Sequence, residues 1–265
     1  MMIRIVSLSL LFACVLAAAS ASEPYRAIPV KDGGAVKGRV TLASASEKSE
    51  KLAVSQDQRI CGAAKPSPCL ATGKGGAVAH ALVYLETIRE GKDFPASGTY
   101  VLDQRGCQYS PHVSVVPVGA RMEILNSDPI LHNVHTYTTD AKTVFNIAQP
   151  MKGVRTKTRV FDTPGILRAT CDAGHPWMLA YVAVAPHPYY AVTDAEGNYT
   201  LTDIPPGTYT LKFWHEGVRL AGTDELAGKV RFYKYEEPYE MSQEVVVTAG
   251  ATATANFSLT LRSPK

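Results

Sequence analysis

Cysteine is scarce in this chain: five in 265 residues, far below the density of a disulfide-stapled miniature. There is no Gly-x-Ser-x-Gly elbow, no phosphate loop and no His-Glu-x-x-His helix, so the usual hydrolase and nucleotide motifs are excluded. Basic runs are missing too, and the formal charge is only +3, which leaves no electrostatic footprint for nucleic acid. Beyond the first twenty or so residues no apolar run approaches the ~20 residues needed to cross a bilayer. Helix signals are poor, apart from one turn near 140–144, and no internal repeat is evident. The 46% apolar content is nevertheless ample for proper cores, on a length that suits one large or two small domains.

The first residues read as an export address. Arg4 supplies a positive start, residues 5–18 an apolar core, and Ala19-Ser20-Ala21 a small-residue cleavage site, so a signal peptide is expected over 1–21. Leu-Phe-Ala-Cys14 resembles a lipidation site, but the apolar run continues past Cys14. Removing the leader takes away Arg4 and lowers the formal charge by one. The mature chain is expected to be periplasmic or secreted, with no transmembrane segment. It keeps Cys61, Cys69, Cys107 and Cys171. Residues alone do not choose among Cys61–Cys69, Cys61–Cys107 and Cys69–Cys107.

What is there, after residue 34, is strand and turn. Residues 36–42 form a β-prone stretch, 43–78 a polar loop or insertion, and 79–86 an apolar strand. Residues 113–118 and 121–125 flank Gly119-Ala120 as an expected hairpin, and Asn126-Ser-Asp-Pro ends the second of these strands. Residues 156–161, 165–170 and 179–185 add three more. Past a boundary at Pro186-His-Pro188 the pattern is cleaner. Over 208–214, Tyr209, Leu211 and Phe213 alternate with Thr208, Thr210 and Lys212, giving period two and one buried face. Residues 217–242 read as a charged, Tyr-rich excursion. The chain is therefore expected to be all-β, with one sandwich over 22–185, carrying an N-terminal loop insertion, and a smaller one over 186–265.

Chemistry concentrates in Cys171-Asp-Ala-Gly-His175-Pro-Trp-Met178, a short loop between apolar strands. A second imidazole stands upstream in Asn126-Ser-Asp-Pro-Ile-Leu-His132-Asn-Val-His135. Two His, one Cys and a weak Met form the set that selects copper and permits one-electron transfer. Gly174 lets the backbone turn before the imidazole, Pro176 stiffens the loop, and Trp177 would shield the metal. Zinc is disfavoured, because structural zinc takes four Cys or His ligands rather than a thioether.

These residues resemble a family. Residues from about 34 to 185 look like a cupredoxin, a Greek-key β-sandwich, with a loop similar to those of amicyanin and plastocyanin. The resemblance implies a type 1 copper at His132, Cys171, His175 and Met178. It also makes Asn133 a hydrogen-bond partner for the Cys171 segment, and favours Cys61–Cys107 as the disulfide. Gln104-x2-Cys107-x-Tyr109-x-Pro-His112-Val, together with the two segments above, resembles exported bacterial proteins that fuse such a unit to a carboxypeptidase regulatory-like domain. The stretch from Ala191 to Leu211 looks like that transthyretin-type sandwich. The loop in this chain is Cys-x3-His, one residue longer than the Cys-x2-His usual in the group, a difference that bears on spectrum, potential and Met bonding.

The remaining histidines read more plainly. His135, three residues after His132 in a strand, would face the other way, and nothing demands a second copper from His112 and His135. His187, His215 and Glu216 are expected to pack at the domain junction. The reading that follows is a non-enzymatic, exported one-electron carrier meeting a redox partner protein through His175, Pro176 and Trp177. Copper storage or delivery is the alternative. So is a cell-surface binding module using Tyr189, Tyr190, Trp214 and residues 232–239.

Overall fold

The computed structural model describes residues 24–44, 49–86, 88–96 and 98–263; the expected signal peptide lies outside them. Two β-sandwiches carry almost all the regular structure. In the first, one sheet runs Arg155–Lys157, Met122–Asn126, Tyr100–Gln104, Tyr109–Ser110. The other runs Thr143–Gln149, His132–Tyr137, Gly165–Thr170, Leu179–Ala185, Val113–Pro117. Leu102, Val116, Ile124, Val134, Leu167, Ala180 and Val182 fill the space between them.

The expected hairpin around Gly119 does not form. Val113–Pro117 pairs in parallel with Leu179–Ala185, whereas Met122–Asn126 pairs in parallel with Tyr100–Gln104. The turn closed by Ala120 N–H to Pro117 O (3.1 Å) carries the chain from one sheet to the other. Turn chemistry marks the corner; it does not say whether the flanking strands stay in one sheet.

The second sandwich draws on both ends of the chain. One sheet is Tyr190–Val192, Leu82–Leu85, Gly207–His215, Tyr239–Val247. The other places Gly34–Leu42 between Asn198–Ile204 and Thr252–Thr254, with Phe257–Leu259 also on Gly34–Leu42. Val36, Val40, Val83 and Leu85 accordingly share one core with Leu201, Leu211, Phe213 and Phe257. This corrects the expected division into 22–185 and 186–265. Residues 34–42 and 82–85 belong to the later sandwich, because period-two alternation fixes which face a strand buries and not which strand it pairs with. Carboxyl-terminal segments then complete a sheet whose central strand was made first.

Leu179–Ala185 is buried almost throughout, as expected of a strand covered on both faces. Ala180, Val182 and Val184 point into the first core, while Ala183 packs with Leu82 and Trp214 in the seam between sandwiches. Trp214 meets the Tyr181 ring edge-on at 5.0 Å. His112, from the first sandwich, is paired with Glu216 of the second, so His215 and Glu216 do lie at the junction. Tyr189 and Trp214 are buried and Tyr190 stacks on Tyr84, which removes these aromatics as an exposed binding surface. The excursion 217–242 contains a hairpin, Leu220–Leu226 with Lys229–Tyr235, whose Phe232 lies under Arg168 of the first sandwich.

A fragment of residues 186–265 lacks both Gly34–Leu42 and Leu82–Leu85, and it is expected not to fold. A dispersed amide spectrum from that fragment alone would contradict this strand order.

Candidate metal centre

Gly165–Thr170 and Leu179–Ala185 are antiparallel partners whose last pair is Thr170 with Leu179. The loop 171–178 therefore projects from a fixed base. Cys171, His175, Trp177 and Met178 on it are all buried. His132 opens the neighbouring strand, His132–Tyr137, which pairs with Gly165–Thr170, and it too is fully buried. Sheet register thus brings residues 132 and 171–175 together. Gly174 has φ +88°, a conformation that favours glycine, and it backs onto the Gln56 side chain.

The three donors converge. His132 Nδ1 lies 3.1 Å from His175 Nδ1, and Cys171 Sγ lies 3.6 Å from His175 Nδ1. One donor atom from each of His132, Cys171 and His175 falls within 4.8 Å of the other two. Met178 is on the same loop, buried in the same core, with its N–H donating to His175 O at 3.0 Å. Cys107, Asp128 and His132 are also mutually close, but Cys107 is bonded to Cys61 and offers no thiolate. Cys69 and Cys171 are free.

The opposite edge of each ring is held. His132 Nε2 is 2.9 Å from Asp128 Oδ2, and His175 Nε2 is 2.9 Å from Asp57 Oδ2. An ionised carboxylate only accepts, so each Nε2 carries the hydrogen. With the Nε2 atoms turned to carboxylates, the two Nδ1 atoms face each other in a buried pocket, where both could be ligands to one cation. Orientation of ligand imidazoles by outer carboxylates is the recurrent design of metal sites. The donor types suit copper: imidazole nitrogens, a cysteine sulfur able to bind as thiolate, and a methionine on the same loop.

Burial sets the electrostatics. It pushes the Cys171 thiol up to about 11, against the pull of backbone N–H groups at Ala173 and Asn133. Burial also lowers His175, with Asp57 acting in the opposite sense. The bond from His175 holds the Asp57 carboxyl below its ordinary value. For Asp128, burial works upward, yet bonds from His132, Cys107 N–H and Gly106 N–H outweigh it and the net shift is downward.

Asn133 acts as the resemblance implies: its Oδ1 accepts the Asp172 N–H at 3.0 Å. Trp177 donates Nε1–H to Cys107 O at 3.0 Å and closes the inner side. His135 faces away, between Asp172 (2.6 Å) and Thr143 (2.8 Å), while His112 is bonded to Leu179 O and Glu216. The two form no common site among the described residues. One expectation fails outright. His175, Pro176 and Trp177 are buried and make no exposed docking patch: Asp57 of the 43–78 insertion lies against His175, Tyr233 against Pro176, and the Trp177 indole turns inward to Cys107 O. Asp57, Gln56 and Asp128 went unassigned in the sequence. Asp128 precedes His132 by four residues and so carried a weak local signal; Asp57, 118 residues from His175, carried none.

Comparison with known proteins gives two results. The model of the carboxypeptidase regulatory-like domain matches residues 168–260, a span that begins inside strand Gly165–Thr170. Similar solved structures are cupredoxins. A purple cupredoxin from Nitrosopumilus maritimus is 25% identical, covering 32% of this chain and 99% of that one with TM-score 0.29. An amicyanin from Paracoccus versutus is 20% identical, covering 35% and 86% with TM-score 0.29. A copper-containing nitrite reductase from Thermus scotoductus SA-01 is 20% identical, covering 38% and 25% with TM-score 0.28. No curated protein matches the chain.

Asp128 contributes stability that holds above the ordinary carboxylate range and is lost as pH falls through its depressed value. Asp128→Asn should therefore destabilise the metal-free protein by about 1–3 kcal/mol at pH 7. The gap to wild type should begin to narrow below about pH 4, where the unfolded-state carboxyl takes up a proton, and close as pH falls through the depressed native value; urea unfolding across this range measures it.

Proposed function

We propose that this chain is an exported copper protein of the type 1 kind, a one-electron carrier holding one ion at His132, Cys171, His175 and Met178. The observation that carries the reading is the meeting of two Nδ1 atoms and one sulfur, with Nδ1···Nδ1 at 3.1 Å and Sγ···Nδ1 at 3.6 Å, and with both outer ring nitrogens tied to carboxylates. Copper bound there would supply exchange of a single electron between Cu(II) and Cu(I).

The rest is the work of this chain's residues. Asp128 and Asp57 hold the rings in one tautomer and one orientation. Asn133 and the paired strands fix the Cys171 backbone. Trp177 and the surrounding core keep water out. Such a site changes shape little when the charge on its ion changes, which favours fast electron exchange. Export to the periplasm or beyond is supported by the Cys61–Cys107 disulfide, a bond that persists in oxidising compartments. The partner is a redox protein and the role is carriage, not catalysis.

A second reading, copper storage or delivery, is favoured by the complete burial of His175, which leaves the carrier no exposed imidazole edge. Slow electron self-exchange together with ready copper transfer to an acceptor would favour it over the first.

Loading the mature protein with Cu(II) should give one copper per chain, a strong visible thiolate-to-copper band and a matching EPR spectrum. The Cys171 thiol is protonated at pH 7, so loading should release a proton. Cys171→Ser should abolish the band. Absence of the band from the wild type, or recovery of Cys171 in a disulfide, would overturn the proposal.

A further inference from the structure

Residues 51–66 form a strap over the metal centre. Its stem is the two-stranded pairing of Lys51–Ala53 with Ala64–Pro66, and Leu52, Val54 and Cys61 are buried in the first core. Between Val54 and Cys61 the character changes: residues 55–60 are exposed or half-exposed, with Ile60 at 43%. Two buried anchors thus flank a solvated tip.

The tip is aimed at the site. Asp57 stands at the N-cap of the helical turn Gln58–Cys61, where an Asp side chain ordinarily accepts from a backbone N–H of the first turn. It makes no such bond. Its backbone is left-handed (φ +53°), a conformation that costs a non-glycine residue energy, and its carboxylate reaches His175 Nε2 instead. Beside it, Gln56 donates to Ala173 O at 3.0 Å and to Asp57 Oδ2 at 3.1 Å, against the face that Gly174 leaves open. A local cap is forgone and a strained backbone accepted so that this segment grips the ligand loop.

The grip is clasped at its far end. Cys61 is bonded to Cys107; the Cys107 N–H donates to Asp128 Oδ2, and Cys107 O accepts from Trp177. One disulfide therefore links the element carrying the His175 carboxylate to the carboxylate of His132.

We infer that Asp57 is a positioning residue for His175 and that the tip 55–60 is a gate, so that the metal enters and leaves by its displacement while the Cys61–Cys107 clasp limits how far it swings. This rests on the copper reading above. Displacing the tip breaks the bonds of Gln56 and Asp57 to the ligand loop but uncovers neither Leu52 nor Val54, so the sandwich stays folded as the site opens.

The test uses the full mature chain loaded with Cu(I), with the rate of copper transfer to bicinchoninate as the readout. Asp57→Ala should speed release about 10–100-fold, the range lost when outer partners of metal ligands are removed. It should also shift the Cu(II) visible band and EPR parameters, while Asp57→Asn, which keeps an acceptor oxygen, should restore most of both. Cys61→Ser with Cys107→Ser should speed release with smaller spectral change. Near-UV circular dichroism verifies folding, and Asp57→Ala alone decides should the double variant not fold. Release within twofold of wild type in Asp57→Ala, with unchanged spectra, overturns the gate. A wild type that never acquires the visible band refutes the copper reading itself, before any variant is compared.

Discussion

Two buried imidazoles facing each other nitrogen to nitrogen are what the centre of this protein is built around. Each ring is held in place by an acidic partner on its outer edge, one four residues away and one 118 residues away. Burial raises the cost of any unpaired polar group, so the pocket suits a cation inside and carboxylates outside. The strand register, the left-handed Asp57 and the glycine at 174 all serve that requirement. So does the choice of Trp177 as the inner plug, since its one polar atom finds a carbonyl.

Much of this was legible in the sequence. Cys171-x3-His175-x2-Met178 after an apolar strand, with His132-Asn-Val upstream, singled out four candidate residues, and three of them, His132, Cys171 and His175, lie together in the structure. The all-β character followed from turn residues and alternation, and Asn133 took the role its family resemblance implied. What failed to show was anything depending on contacts between distant segments. Asp57 is an ordinary acid in a polar stretch until the chain folds over His175. Residues 36–42 and 79–86 look like strands, and Gly34–Leu42 and Leu82–Leu85 are, but period-two patterning carries no information about a partner more than a hundred residues on. The exposed docking patch was inferred from the loop alone, with the insertion above it taken as detached surface.

The two sandwiches are also less separable than their sequences suggest. A strand buried on both faces, Leu179–Ala185, serves one core with its even-numbered residues and the seam with Ala183. The His112–Glu216 pair crosses the same seam with both groups buried. A buried ion pair is weak evidence for stability, since desolvation offsets the attraction, but separating the partners would leave each charge stranded. The hairpin of 220–235 adds a third tie, its Tyr233 N–H reaching Pro176 O at 3.4 Å, beside His175. The second sandwich is accordingly in mechanical contact with the ligand loop, not a tethered appendage.

The order in which the strands occur has a consequence for biosynthesis. Gly34–Leu42 is made long before its parallel neighbour Thr252–Thr254. During synthesis that early strand must wait with unsatisfied edges, while the first sandwich, contiguous over most of its length, has all its strands to hand sooner. The metal pocket can thus be assembled before its companion closes. Such a nascent chain exposes an unpaired β-edge until its later strands are made, a surface that favours aggregation in a partly folded chain.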